Sequence, residues 1–291
     1  MTHSTPEAFL HACRLDIQAL KPGNVSLASP GHGMDASHFI ASAKAAAEPL
    51  CRLRARVGQR IEDAVRASFD AAGCNTNLGI ILLCAPLAAA TEQCPPQPTP
   101  FQLRDAVTQV LHALDIPDAA AAYRAIALAR PGGLGSAPEQ DVASPPSINL
   151  RDAMALAADR DRIAWQYANG HADLFDLGLP AFETALHRSR TAGAGNEDAA
   201  IRAMQAACLQ FLATLPDSHI VRKHGPLAVH SVMSEARQWN SRLHGDEDLQ
   251  HDPAFAVWDE SLKARGLNPG TSADLSVATS FVAALCHLIP A

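Results

Sequence analysis

The 291-residue sequence lacks the features that mark several large classes of protein. Its seven cysteines form no CxxC pair, a pattern typical of reduced thiols rather than of disulfides or a paired-cysteine zinc site. The longest apolar run, from Leu78 to Ala90, contains Pro86 and is shorter than the roughly 20 residues that span a membrane. Charged residues near the N-terminus argue against a secretory signal there. We therefore expect a cytoplasmic protein with no membrane partner.

Long basic runs and several familiar catalytic motifs are missing as well. The formal net charge is −7 and the sequence pI is about 6.0, so a nucleic-acid partner is not expected. The chain has no P-loop of the form GxxxxGK[ST], no HExxH and no GxSxG. The missing motifs disfavour a zinc-dependent or serine hydrolase. The net negative charge means that any phosphate site must consist of a few nearby residues rather than a broad basic surface.

Helical periodicity dominates what is present. Apolar residues recur at helical spacing over 6–20, 101–114 and 197–215, whereas no stretch alternates cleanly as a strand. Further helices are predicted at 37–50, 60–72, 77–91, 118–129, 150–169, 180–191, 227–243, 254–264 and 272–288. The predicted fold is all-α, a single compact multi-helix domain over residues 1–291 with long functional loops.

Two loops, 21–35 and 130–149, are long for a compact helical domain and are better candidates for function than for mere connection. The second is glycine-rich, but its spacing does not fit a dinucleotide fingerprint, and a flexible connection explains it as well. The first, KPGNVSLASPGHGMD, combines a lysine for phosphate with aspartate and histidine, which bind metals or transfer protons. An ordinary helix end followed by a turn is the alternative. The candidates in this loop are Lys21, Asn24, Ser26, His32 and Asp35.

Polar residues also open a very apolar predicted helix in the segment GCNTNLGIILL. Free backbone amides and the positive helix end at this position could hold an anion. A satisfied N-cap would look the same in sequence. The candidates are Asn75, Thr76, Asn77 and Gly79.

Two more clusters lie in the last third of the chain. In DSHIVRKHG, Arg222 and Lys223 place a guanidinium beside an ammonium, which suits a polyphosphate, and Asp217 precedes them. In NPGTSADL, Ser272 and Asp274 stand at the start of the last apolar helix. A solvated basic turn and a capping segment are the respective alternatives.

Taken in order, KPGNVS with HGMD close behind, NTNLG, DSHIVRKHG and NPGTSADL resemble the triphosphoribosyl-dephospho-CoA synthase family, over about residues 5–288. The resemblance implies an all-α enzyme of coenzyme or prosthetic-group biosynthesis. Such an enzyme transfers the triphosphoribosyl group of ATP to an acceptor hydroxyl and releases adenine, and in the best-known case the acceptor is dephospho-CoA. Members dedicated to that prosthetic group more often read KPGLVD. Relatives with KPGNVS-type motifs look associated with tetrahydromethanopterin-type coenzymes, so a pterin-like or furan-like precursor is the other acceptor implied.

The resemblance also implies roles for the clusters. ATP would be a substrate, and Mg²⁺ would accompany its triphosphate. Displacing adenine passes through an oxocarbenium-like state, which a nearby carboxylate stabilises. The predicted catalytic residues are His32, Asp35 and Asp274, and the predicted metal ligands are Asp35, Asp217 and Asp274. The predicted nucleotide-binding residues are Lys21, Asn24, Ser26, Asn75, Thr76, Asn77, Gly79, Arg222, Lys223 and Ser272.

Two other interpretations stay open at this point. The same clusters suit a metal-dependent phosphohydrolase or kinase-like enzyme, which would release phosphate or ADP instead of adenine. A non-catalytic helical binding subunit would show no turnover with any acceptor. The sequence also leaves the oligomeric state open, with a homodimer as one candidate.

Overall fold

The computed structural model describes residues 4–133, 135 and 139–289. The chain is 70% helical, and no strand occurs in the described residues, which confirms the all-α prediction. The α-helices are α1 (Thr5–Gln18), α2 (Ala36–Leu50), α3 (Val57–Ala72), α4 (Leu78–Thr91), α5 (Pro100–His112), α6 (Ile116–Ala129), α7 (Leu150–Ala155), α8 (Arg162–Ala168), α9 (Leu179–Thr191), α10 (Asn196–Thr214), α11 (Ser218–His244), α12 (Pro253–Ala264) and α13 (Gly270–Leu285). A π-helix (Leu174–Gly178) runs directly into α9, and a 3₁₀ turn (Leu249–His251) precedes α12.

One continuous helix was predicted over 150–169, but the structure has two helices there, α7 and α8, so the predicted continuity was wrong. The reason lies in Asp161, whose carboxylate accepts the backbone N–H groups of Ile163 at 2.9 Å and Ala164 at 3.1 Å. An aspartate in this position caps a new helix start, which ends the preceding turn. The split places the Asp161 side chain at a helix N-terminus.

The predicted loop before residue 227 is also helical. Asp217 caps α11, so the helix begins at Ser218 and continues past the basic residues. The only break within it falls at Gly225, whose φ of 81° lies in the left-handed region that glycine tolerates. Arg222 and Lys223 therefore lie on a helix and not in a loop.

Helices α4 and α13 are buried on nearly all sides and form the centre of the main core. Pro86 lies inside α4 and has no N–H to offer the carbonyl of Leu82. The hydroxyl of Tyr167 donates to that carbonyl at 2.7 Å. His171 adds a contact from Nε2 to the carbonyl of Leu83 at 3.1 Å. Polar side chains that follow the start of α8 therefore complete the hydrogen bonding of the central helix.

A second apolar cluster joins α10, α11 and α12, and it holds the loop 21–35 in place through Asp259 on α12. The Asp259 carboxylate accepts the backbone N–H of Gly23 at 2.7 Å and the hydroxyl of Ser29 at 2.5 Å. Lys263 pairs with the same carboxylate at 2.8 Å. The predicted functional loop is thus attached to a helix near the other end of the sequence. Within the described residues, no helix has the length and apolarity needed to cross a membrane.

Candidate active site

A cavity of about 420 Å³ lies where the starts of four helices meet. The first turns of α4, α8, α11 and α13 all contribute lining residues. Helix N-termini carry partial positive charge and backbone N–H groups without helical partners, so they favour bound anions. The N-cap residues of α4 and α13 provide no side-chain cap, and one N–H in each first turn is taken by another side chain, that of Leu78 by Asn75 and that of Ser272 by Asp217. The volume is in the range of small-molecule sites, and this part of the wall suits a phosphate group.

A further part of the cavity wall is apolar. It is built from α4, α6 and α7, and its members include Ile80, Leu82, Ile126, Met154 and Leu156. Aliphatic side chains of this kind cover the faces of flat rings and exclude water from them. The cavity therefore combines an anion-favouring region with a surface for an uncharged group.

The carboxylate of Asp274 faces the cavity and has no hydrogen-bond partner among the described residues. It rests against Gly79 in the first turn of α4, where a Cβ atom would lie 2.0 Å from its Oδ2. This close approach explains why glycine stands there. Burial raises the pKa of Asp274 well above its usual range, and the negative charge of Asp16 adds to the rise. A carboxylate with a raised pKa is a stronger proton acceptor than an ordinary aspartate.

Asp16, in the last turns of α1, is a second carboxylate in the cavity wall. The Nζ atom of Lys21 lies 3.1 Å from its Oδ1 and also donates to the Asp16 backbone carbonyl at 2.5 Å. Burial raises the pKa of Asp16, whereas the charge of Lys21 lowers it. The Lys21 side chain is fully buried and is not part of the cavity wall. The lysine predicted to bind phosphate is thus paired behind a carboxylate.

Two arginines and a histidine are further polar groups of the wall. Arg222 pairs with Asp161 through Nη1 and Oδ2 at 2.7 Å, and its Nε has no partner in the described structure. Arg160 lines the cavity and is exposed. Burial lowers the pKa of His219 to about 4, and the cations of Lys223 and Arg222 contribute. The imidazole of His219 is therefore neutral near pH 7.

Asp217 and Ser272 form a buried link between α11 and α13 and do not line the cavity. One carboxylate oxygen of Asp217 accepts the backbone N–H groups of His219 at 3.0 Å and Ile220 at 3.1 Å. The other accepts both the N–H and the hydroxyl of Ser272 at 2.8 Å. All four contacts come from the protein, so Asp217 is occupied in holding two helix starts together.

Of the other predicted residues, Asn24, Asn75 and Thr76 line the cavity. The side chain of Asn24 donates to Oδ1 of Asn268 at 3.0 Å, and the Thr76 hydroxyl lies 2.5 Å from that of Ser42. These contacts fix the direction of both side chains at the cavity wall.

Ser26 and Asn77 are buried and are not part of the cavity wall, and each has a side-chain oxygen without a partner in the described residues. His32, Asp35 and Lys223 lie outside the wall. The exposed Asp35 carboxylate caps α2, and its hydrogen bond from the Ser37 hydroxyl lowers its pKa to about 2. A carboxylate with so low a pKa is a weak base.

Sequence reasoning missed Asp16, Asp161, Arg160 and Tyr123. Asp16 had a usable signal, because it is a charged residue on the buried stripe of an amphipathic helix. Tyr123 donates its hydroxyl to the carbonyl of Gln140 at 2.8 Å, which ties the second long loop to α6. That loop contributes to the cavity wall on either side of its undescribed residues.

A metal site made of protein groups alone is not present in the described residues, because no cluster of three histidines, cysteines or carboxylates occurs there. Among the three predicted metal ligands, Asp274 faces the cavity, while Asp217 is hydrogen-bonded and Asp35 lies elsewhere. Magnesium in nucleotide sites is usually held by one or two carboxylates together with substrate phosphates. The residues present fit a magnesium ion that arrives with a nucleotide.

The fold and the cavity define an all-helical protein with carboxylates and arginines around an anion-favouring site. The family model for ATP:dephospho-CoA triphosphoribosyl transferases, CitG, matches residues 3–290, and the chain belongs to this family. It is therefore an enzyme, a triphosphoribosyl transferase, as the resemblance predicted.

A crystal structure of a protein from Archaeoglobus fulgidus, provisionally named a triphosphoribosyl-dephospho-CoA synthase, matches with a TM-score of 0.62. The sequence identity is 21%, and the match covers 85% of this chain and 99% of that one. Likeness at this level of identity supports the fold alone. No curated protein matches this chain significantly.

Proposed function

We propose that the chain transfers the triphosphoribosyl group of ATP to the hydroxyl of a coenzyme precursor in this cavity, with release of adenine. The observation that carries the proposal is the carboxylate of Asp274. It has no hydrogen-bond partner in the described structure, it rests on the first turn of α4, and it shares the cavity wall with Arg222. A base, an anion-favouring wall and a cation are the groups that this transfer needs.

The triphosphate would lie against the first turns of α4 and α13, whose residues line the cavity. Arg222 and Arg160 would pair with its oxygens, and Asn75 and Thr76 would donate hydrogen bonds. Mg²⁺ would neutralise part of the phosphate charge when bound and would be held mainly by the phosphate oxygens, which leaves Asp274 free to act as the base. The aliphatic wall from α4, α6 and α7 would cover the adenine ring.

The transfer breaks the bond between C1 of the ribose and N9 of adenine, and the electron pair leaves with the base. A new bond forms between C1 and the acceptor oxygen, whose proton passes to Asp274. Adenine takes up one proton from solvent as it leaves, and Asp274 returns the acceptor proton to solvent, so the overall reaction releases no net proton. The raised pKa of Asp274 favours this proton transfer, because a stronger base removes a hydroxyl proton more readily.

Dephospho-CoA is the acceptor named in the family description, and we propose it as the first acceptor. One observation supports testing another. Asn24 stands where the KPGLVD motif has leucine, and its side chain lines the cavity beside Asn268. A polar amide at this position changes what the wall accepts, so a pterin-like or furan-like one-carbon coenzyme precursor is the second candidate.

The test is incubation of the purified protein with ATP, Mg²⁺ and each acceptor, followed by chromatography of the products. We expect free adenine in amounts equal to the modified acceptor. We expect Asp274→Asn to lower the rate of adenine release by about two to four powers of ten, which is the effect expected for loss of a general base. Asp105→Asn on α5 is the matched control, because Asp105 is exposed and outside the cavity.

The products also separate this proposal from its alternatives. Release of phosphate or ADP without adenine would indicate a phosphohydrolase or kinase-like enzyme. ATP binding without turnover, with every acceptor tried, would indicate a binding subunit. Equal adenine release by Asp274→Asn and Asp105→Asn would remove Asp274 from the mechanism.

A further inference from the structure

We propose that Asp16 is a second catalytic carboxylate, held in its ionised form by Lys21, and that it stabilises the positive charge that develops on the ribose. This inference rests on the proposed function, and it divides the chemistry between two aspartates. Asp274 takes the proton of the acceptor hydroxyl. Asp16 faces the sugar as a fixed negative charge, and Lys21 is a positioning residue that acts through it.

The position of Asp16 is the first observation. It lies in the cavity wall although its side chain is only 4% exposed, so what remains accessible faces the cavity. Its Oδ1 lies 3.1 Å from the Nζ atom of Lys21 and is inaccessible, so Lys21 occupies that oxygen. A buried ion pair adds little net stability, which favours a role for this pair at the cavity over a purely structural one.

The surroundings of Lys21 are the second observation. Its Nζ atom contacts the Asp16 carboxylate, the Asp16 backbone carbonyl at 2.5 Å and, more weakly, the Val25 carbonyl at 3.5 Å. No other carboxylate pairs with it in the described residues. The lysine therefore supplies one positive charge to one carboxylate, on the side away from the cavity.

The two aspartates differ in the charges around them. Asp274 faces the negative charges of Asp16 from α1, Asp217 at the start of α11 and Asp161 at the start of α8. The positive charge of Arg222 on α11 partly offsets them. Asp16 has Lys21 as a direct partner. Burial raises the pKa of both carboxyl groups, but a directly paired cation opposes the rise only at Asp16. Two carboxylates in such different surroundings commonly take different roles, one as proton carrier and one as fixed charge.

The decisive variant neutralises the whole pair. Replacing one partner alone leaves an unpaired buried charge, so Asp16→Asn by itself risks unfolding. The double variant Asp16→Asn/Lys21→Met removes both charges with similar volumes, and such exchanges are often neutral for stability. We expect it to melt within a few degrees of the wild type and to bind ATP within about threefold. We expect its adenine release to fall by about 100-fold or more, as on removal of one electrostatic stabiliser.

The split between kcat and KM gives a readout that a structural pair would not move. The double variant should lower kcat while the KM for ATP stays within about threefold, because the lost negative charge acts on the transition state and not on bound ATP. Lys21→Met alone should lower kcat as well, because Asp16 loses the cation that is its direct partner.

The control is Arg124→Met/Glu62→Gln, which neutralises a bidentate pair between α6 and α3 outside the cavity wall. Adenine release by the Asp16/Lys21 double variant within about threefold of this control would overturn the inference. A loss carried by the KM for ATP alone, with kcat unchanged, would overturn it as well. A wild-type protein that releases no adenine with any acceptor would instead refute the proposed function, so the two failures are distinguishable.

Discussion

The buried imidazole of His171 offers a quantitative test of the core, through the variant His171→Asn. The ring is fully buried after α8, with Nε2 on the carbonyl of Leu83 and no hydrogen-bond partner for Nδ1 among the described residues. Burial lowers the pKa of His171 to about 4. Asparagine is neutral at every relevant pH and tolerates the positive φ of 56° at this position.

The sign of the effect follows from proton binding. In the unfolded chain the pKa of histidine is about 6.5, so the unfolded state takes up a proton between about pH 6.5 and pH 4 while the folded state does not. Stability due to His171 is therefore fully present above about pH 6.5 and is lost as the pH falls. The slope is about 1.4 kcal/mol per pH unit, which gives about 2 kcal/mol between pH 7 and pH 5 and about 3 kcal/mol in total.

The assay is urea denaturation of the wild type and His171→Asn at about pH 7, 6 and 5. His219, whose pKa is also lowered to about 4, titrates in both proteins and cancels in the comparison. We expect the wild type to lose about 2 kcal/mol more than the variant between pH 7 and 5. Parallel losses, within about 0.5 kcal/mol, would refute the assignment of a neutral buried imidazole to the folded state.

Three further predictions concern the cavity and the core. Gly79→Ala places a methyl group against the carboxylate of Asp274 and would displace it, so we expect adenine release to fall by about 100-fold while the melting temperature stays within a few degrees. Unchanged turnover would show that the position of this carboxylate is not critical. Arg222→Ala should weaken ATP binding by roughly 10- to 100-fold in calorimetry, whereas the exposed Lys223→Ala should change it less than about threefold; equal effects would place the triphosphate nearer the helix surface. Tyr167→Phe leaves the Leu82 carbonyl without a donor and should cost about 1–3 kcal/mol in urea denaturation, and a loss below about 0.5 kcal/mol would mean that another group satisfies the carbonyl.

Local signals in the sequence were enough for most of the helices. Apolar residues at helical spacing predicted α1, α5 and α10, and the apolar run from Leu78 predicted the buried α4. The division of 150–169 into two helices was missed because, in the sequence alone, a helix cap such as Asp161 cannot be told from any other polar residue until its N–H partners are known. Propensity and spacing do not reveal which of several aspartates starts a new helix.

Residues of the candidate site could be predicted where a residue type was unusual for its position in a helix. Gly79 stood early in a buried helix, and Asp274 stood at the start of another, and the structure places the two in contact. Lys21 and Asp35 carried the same kind of signal, yet one is paired with Asp16 and the other caps α2. Only long-range packing decides which polar residues reach the cavity, and a single sequence does not contain that packing explicitly.

The attachment of loop 21–35 to α12 has a consequence for how the site comes into being. The cavity wall takes Asp16 and Asn24 from the first helix and loop, and Asp274 from α13, with Asp259 on α12 fixing the loop between them. Contacts between residues so distant in sequence form late, because a long stretch of chain must be ordered first. A ribosome-bound chain that lacks α12 and α13 would therefore have its central helices but no carboxylate opposite Gly79. The capacity to bind and cleave ATP would arise only as the final helices dock, so nucleotide binding would report completed folding.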